Sequence, residues 1–179
     1  MYIITFLKIL ILMLIFPLFL LFFFQPAVVD GRYHREGGPG AWYGSSSERA
    51  AWAELIRHTP RKGVDRFEMK RRIGRIRVKG LVVLDLTSEA TRLALGLGRH
   101  SFLSDDLVGE EYARCQDLAE RARKAGFEGV LAPSAAMRGE LTLVVFPEGI
   151  AKLTEEHSRV QSPPRTMKRY LRRIPRRPT

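Results

Sequence analysis

The feature that most constrains this chain is its start. Residues 3–24 are almost wholly apolar, broken only by Thr5, Lys8 and Pro17. A membrane-spanning helix takes roughly 20 apolar residues, and one proline bends such a helix without forbidding it. The stretch therefore predicts an apolar N-terminal helix that anchors the chain. The alternatives are a signal peptide, a buried core segment and a misread start codon. For a signal peptide the apolar run is long, and no small-residue cleavage site precedes Asp30. If the stretch spans, Arg32, Arg35 and the basic chain beyond them stay on the cytoplasmic side, giving a cytoplasmic domain anchored to the inner membrane by residues 3–24.

The remainder of the chain must fold by itself. The chain has 179 residues, 45% of them hydrophobic, which suits one globular domain and excludes a wholly disordered chain. Lys and Arg number 30 against 19 Asp and Glu, a net charge of +11. That excess favours polyanionic partners without choosing among phosphate groups, nucleic acid and anionic lipid. The single cysteine, Cys115, rules out an intrachain disulfide and a cysteine-rich zinc site.

Residues 31–40 (GRYHREGGPG) read as a polar, glycine-rich loop, and 41–43 as a short strand. Ser45 and Glu48 have capping-box spacing, so a helix is expected from there to about His58, with Trp52, Leu55 and Ile56 on its inner face. Alternating basic and apolar residues from Arg75 to Lys79 predict a strand with a cationic face, and 80–86 (GLVVLDL) a more buried one. Thr87 or Ser88 caps a short helix through Leu97. A firmer helix begins at Glu110 and turns Tyr112, Cys115, Leu118, Ala119 and Ala122 inward. Its acids lie first and its bases last, as the helix dipole favours, and Gly126 closes it. Residues 127–131 and 141–146 are the last two strands. From 158 to 179 the chain carries Arg159, Arg165, Lys168, Arg169, Arg172, Arg173, Arg176 and Arg177, with no acid. This predicts a mobile tail, able to make weak, salt-sensitive contacts with anionic lipid or nucleic acid. The expected division is a segment 1–30, a folded domain 31–153 and a basic, disordered tail 154–179.

Taken alone, the residues exclude several chemistries. No phosphate-binding loop, dinucleotide fingerprint or metal-ligand pair occurs, and His34, His58, His100 and His157 are scattered. A Ser-His-Asp role for Ser134 lacks the surrounding nucleophile elbow. A better constellation is Arg32, whose guanidinium fork suits a phosphate, with Tyr43 at a strand end where its ring can face a flat ligand. To these it adds the helix carboxylate Glu54 and Ser134 after Pro133. Each also fits an ordinary structural role: a solvated loop charge, a half-buried tyrosine, a helix surface charge and a cap.

The order of these motifs resembles the RES-domain family. The carrying stretches are GRYHREGGPGAWYGSSSERAAWAEL, VVLDLTSEATRLALGL, EEYARCQDLAERARKAGFEGVLAPSAA and LTLVVFPE, which together span about 31–150. The resemblance implies an α+β, ADP-ribosyltransferase-like mixed α/β domain. It implies the toxin of a bacterial toxin–antitoxin pair, which cleaves the nicotinamide–ribose bond of NAD+ by hydrolysis or phosphorolysis or transfers ADP-ribose. The implied catalytic residues are Glu54, Tyr43, Arg32 and Ser134. Glu54 would stabilise positive charge on the ribose, Tyr43 stack on nicotinamide or ribose, Arg32 hold the pyrophosphate or an incoming phosphate, and Ser134 hydrogen-bond ribose or phosphate. NAD+ is then a substrate, phosphate a possible co-substrate, and no metal or cofactor is needed. The implied partner is a cognate DNA-binding antitoxin.

One departure stands out. The family carries a Tyr-Arg or similar pair on a first strand about twenty residues ahead of the Gly-Arg motif. Here that interval falls at 11–16, inside the apolar run and without arginine. The alternative reading is thus a catalytically impaired, membrane-tethered relative that binds a partner through the same cleft.

Overall fold

The computed structural model describes residues 2–4, 27, 29–58, 69–97 and 110–167. Among the described residues, seven strands form one sheet in the order β4-β5-β6-β2-β1-β3-β7. In chain order the elements are β1 (Tyr2–Ile4), β2 (Trp42–Ser45), α1 (Glu48–His58), β3 (Arg71–Val78), β4 (Val83–Asp85), α2 (Glu89–Ala94), α3 (Glu110–Lys124), β5 (Gly129–Pro133), β6 (Leu141–Val145), a 3-10 turn (Pro147–Lys152) and β7 (Leu153–Gln161). Of these strands β4 and β5 run parallel, and the other pairs are antiparallel. The class is the expected α+β.

The N-terminus corrects the first expectation. Ile3 and Ile4, the beginning of the supposed helix, lie in β1, which pairs with β2 and β3 on either side. Flanking strands satisfy the backbone groups of these residues as a helix's own bonds would. Residues 5–24, and with them the interval 11–16 compared with the family's first strand, lie outside the described residues. Among the described residues no helix is long and apolar enough to cross a membrane.

The chain's other end also differs from expectation. Residues 153–161 form β7, paired along its length with β3, so ordered structure runs past the boundary set after Leu153. Of the bases that suggested a solvated tail, Arg159 lies in this strand and pairs with Glu48 of α1 at 3.8 Å, while Glu156 of the same strand pairs with Arg75 at 4.0 Å and Arg77 at 2.5 Å. Beyond it, Met167 is fully buried. Residues 168–179, which carry most of the tail's basic side chains, lie outside the described residues.

Two apolar clusters flank the sheet. In one, Cys115, Leu118, Ala119 and Ala122 of α3 meet Val130, Ala132, Val144 and Phe146 of the β5–β6 region, together with Leu86 and Tyr33. In the other, Trp52, Leu55 and Ile56 of α1 pack with Ile73, Met137 and Met167. Burying side chains of this size stabilises by roughly 1.5–3 kcal/mol each. α3 ends as its sequence predicts: Gly126 takes φ 86°, and the Phe127 N–H reaches back to the Ala122 carbonyl at 3.0 Å. α1 begins differently. Ser45 lies in β2, and the cap is Ser47, whose hydroxyl accepts from the Ala50 N–H at 3.2 Å. The 80–86 stretch yields only the short edge strand β4, and its Val83 and Leu84 are half-buried.

Candidate active site

A cleft of about 440 Å³ opens where the two clusters meet. α1 lines it with Ala51, Glu54, Leu55, Arg57 and His58, β2 with residues 42–45, and α3 with Tyr112. The glycine-rich loop contributes Asp30, Gly31, Arg32 and Tyr33, and the end of β5 contributes Ala132 and Pro133.

Glu54 sits on the α1 wall with 23% of its side chain exposed. Its Oε1 accepts from the Ser134 hydroxyl at 3.0 Å and from the Ala136 N–H at 3.2 Å. Its Oε2 lies 3.6 Å from His58 Nε2 and 3.9 Å from Arg57 Nη1, the i+4 and i+3 positions of the same helix. Burial pushes its acidity toward the neutral form, but His58, Arg57 and Ser134 together outweigh it and hold the carboxyl below its ordinary value of 4.5. Glu54 is therefore a carboxylate at neutral pH, with hydrogen bonds to Oε1 and the basic side chains of Arg57 and His58 close to Oε2.

The opposite wall is the loop. Gly31 and His34 form a two-way backbone bridge, so Arg32 and Tyr33 occupy the tip of a tight turn. Any side chain at position 31 would collide with the His34 ring, because an added Cβ would lie 2.0 Å from Cε1. The Arg32 guanidinium stands over the Tyr112 ring, 5.5 Å from its centroid. Tyr43 holds the turn from beneath: its hydroxyl accepts from the Tyr33 N–H at 3.1 Å and lies 3.0 Å from His34 Nδ1. Burial lowers the His34 pKa, against the effects of the Val29 backbone and Asp30. A neutral His34 can then take the Tyr43 proton as a hydrogen bond. Burial also keeps the Tyr43 phenol protonated, with its pKa well above 10. The Tyr43 hydroxyl is thus engaged by the loop, leaving the ring to face the cleft.

Of the four expected residues, Arg32, Tyr43 and Glu54 line the cleft directly. Ser134 is 3% exposed and stands behind Glu54. Its hydroxyl also accepts from the Ala136 and Met137 N–H groups at 3.2 Å each. The cap and the functional reading of Ser134 therefore describe one side chain that ties Glu54 to the turn after β5.

Comparison with known proteins decides the family: the RES domain model matches residues 21–167, most of the chain. The chain belongs to the RES domain family. A relative from Mycobacterium tuberculosis (strain ATCC 25618 / H37Rv), named probable NAD(+) phosphorylase Rv3189, is 49% identical over 140 residues, covering 78% of this chain. This chain spans 65% of that relative's length. Among solved structures, a chain of the M. tuberculosis MbcT-MbcA toxin-antitoxin complex superposes with a TM-score of 0.62 at 27% identity. The match covers 79% of this chain and 76% of that one.

Other side chains of this RES domain also line or support the cleft. Arg57 and His58 lie outside the apolar face of the helix, and their signal is the spacing of three and four residues from Glu54. Tyr112 belongs to the inward face of α3, and it also lines the cleft and stacks with Arg32. Gln116 of α3, 7% exposed, binds the loop through contacts that no local pattern announces.

Proposed function

We propose that the cleft binds NAD+ and breaks its nicotinamide–ribose bond, as the toxin of a toxin–antitoxin pair. The observation that carries this is Glu54: an ionised carboxylate held by Ser134, Arg57 and His58 in the same cleft that the cation Arg32 lines. In the reaction the bond from C1″ of the nicotinamide ribose to nitrogen breaks and its electron pair returns to the pyridinium, which leaves as neutral nicotinamide. The ribose is left with oxocarbenium character, which a nearby carboxylate stabilises. Arg32, on its turn over Tyr112, is suited to the pyrophosphate, and the Tyr43 ring to a face of nicotinamide or ribose. Ser134 acts on the substrate through Glu54 rather than by touching it. The acceptor is phosphate, giving ADP-ribose 1″-phosphate, as the name of the M. tuberculosis relative suggests; water is the alternative acceptor. Because nicotinamide departs neutral, the reaction calls for no metal to stabilise the leaving group.

The same reading assigns an ADP-ribosyltransferase-like fold, a cytoplasmic site of action, where NAD+ is available, and a cognate antitoxin as protein partner. The partner is supported by the likeness to a chain of a toxin–antitoxin complex. Full-length protein incubated with NAD+, with and without inorganic phosphate, tests the reading. Nicotinamide release with a phosphate-dependent sugar phosphate resonance by phosphorus NMR is expected. Binding of NAD+ without nicotinamide release would favour the impaired, partner-binding alternative.

A further inference from the structure

Gln116 lies outside the cleft, buried between α3 and the glycine-rich loop. Its carboxamide meets four residues more than eighty positions away in sequence. Nε2 donates to the Gly31 carbonyl at 3.0 Å and the His34 carbonyl at 3.1 Å, with Asp30 Oδ1 at 3.4 Å. Oε1 accepts from Arg35 Nη1 at 2.9 Å. The carbonyls of Gly31 and His34 are the two that close the backbone bridge at the base of the Arg32–Tyr33 turn. One side chain thus grips both strands of that turn, and Arg35 is held further by Asp117.

The chemistry at this position is selective. A carboxamide alone among side chains offers paired donors to carbonyls and an acceptor to a guanidinium in one planar group. Leucine would fill similar space and leave the turn unclamped. Glutamate would set a second negative charge against Asp30 and two carbonyl oxygens.

We infer that Gln116 is a positioning residue for substrate binding: it fixes the turn that aims Arg32 over Tyr112 into the cleft. This rests on the reading of Arg32 as the group that holds the NAD+ pyrophosphate. Because Gln116 does not line the cleft, its effect on substrate passes through the loop. The split between KM and kcat therefore identifies it. A merely structural residue lowers the folded fraction and the apparent kcat while leaving KM unchanged.

The test uses full-length wild type, Gln116→Leu, Gln116→Glu, Arg32→Met and the Arg32→Met/Gln116→Leu double variant. Gln116→Leu should raise KM for NAD+ about tenfold with kcat within about threefold, and Gln116→Glu should do at least as much. In the Arg32→Met background the Gln116 substitution should add almost nothing to KM, since both act through one contact. Hydrogen exchange at the Gly31 and His34 amides should quicken in Gln116→Leu while α3 stays protected. An unchanged KM, additive losses in the double variant or unaltered exchange in the turn would each overturn the inference. If the leucine variant does not fold, the glutamate variant, which keeps the Arg35 contact, supplies the same readouts. The wild type separates the two levels: absence of NAD+ turnover there defeats the functional reading, whereas the exchange measurement still decides whether Gln116 fixes the turn.

Discussion

The two walls of the cleft are built on opposite plans. On the α1 wall, Glu54, Arg57 and His58 share one helix, and the helical repeat alone brings them together; Ser134, distant in sequence, braces the carboxylate from behind. On the loop wall the support comes from afar. Arg32 is aimed by a tight turn, the turn is gripped from α3 by Gln116, and Tyr43 of β2 holds it from the sheet. The difference suggests a division of labour. On the proposed function, a helix would supply the fixed charge for the chemical step, and a clamped loop would supply the binding cation.

The sharpest way to break that comparison is at Glu54. Glu54→Gln keeps the side chain's size and removes the charge, so kcat should fall by about a thousandfold or more, read as nicotinamide release, with the fold retained by circular dichroism. The counterpart on the loop wall is Gly31→Ala. The new methyl meets the His34 ring, so the turn must shift; a loss of about 1–3 kcal/mol of stability by denaturant titration is expected, together with a raised KM.

Ser134→Ala probes the long-range brace on the helix wall. It removes the donor to Glu54 and the acceptor for two buried N–H groups, costing about 1–2 kcal/mol of stability. The Ser134 hydrogen bond lowers the Glu54 pKa, so its loss should raise that pKa and move the acid limb of kcat to higher pH. An unmoved limb would separate Ser134 from Glu54.

The smallest effect belongs to His34. Its pKa is lowered in the fold by burial, so the unfolded chain binds the proton more readily. The associated stability is complete above the unfolded value of about 6.5 and is lost as pH falls from there toward the folded pKa. Thermal melts between pH 8 and 5 should show this decline, and His34→Gln should flatten it.

The sequence was legible where cause and effect are neighbours. The α3 boundaries, its inward residues and the Gly126 stop follow from periodicity and capping. The motif order also named four side chains that do converge. What stayed hidden depended on distant partners. Ile3 and Ile4, the first residues of the apolar run, are strand rather than helix, because composition alone does not tell a helix from a central strand. Residues after Leu153 read as a tail because their partners are remote in sequence: β3 along the strand and Glu48 for Arg159. Gln116 carried no signal, since a polar residue within an amphipathic helix is ordinarily solvated.

The division between walls is tested most directly by kinetic constants for NAD+ measured side by side in Glu54→Gln and Arg32→Met. The account predicts that Glu54→Gln loses kcat with KM within about threefold of wild type, and that Arg32→Met raises KM by about tenfold or more with a much smaller change in kcat. Equal losses of kcat in both, or a Glu54→Gln enzyme that turns over at the wild-type rate, would contradict it.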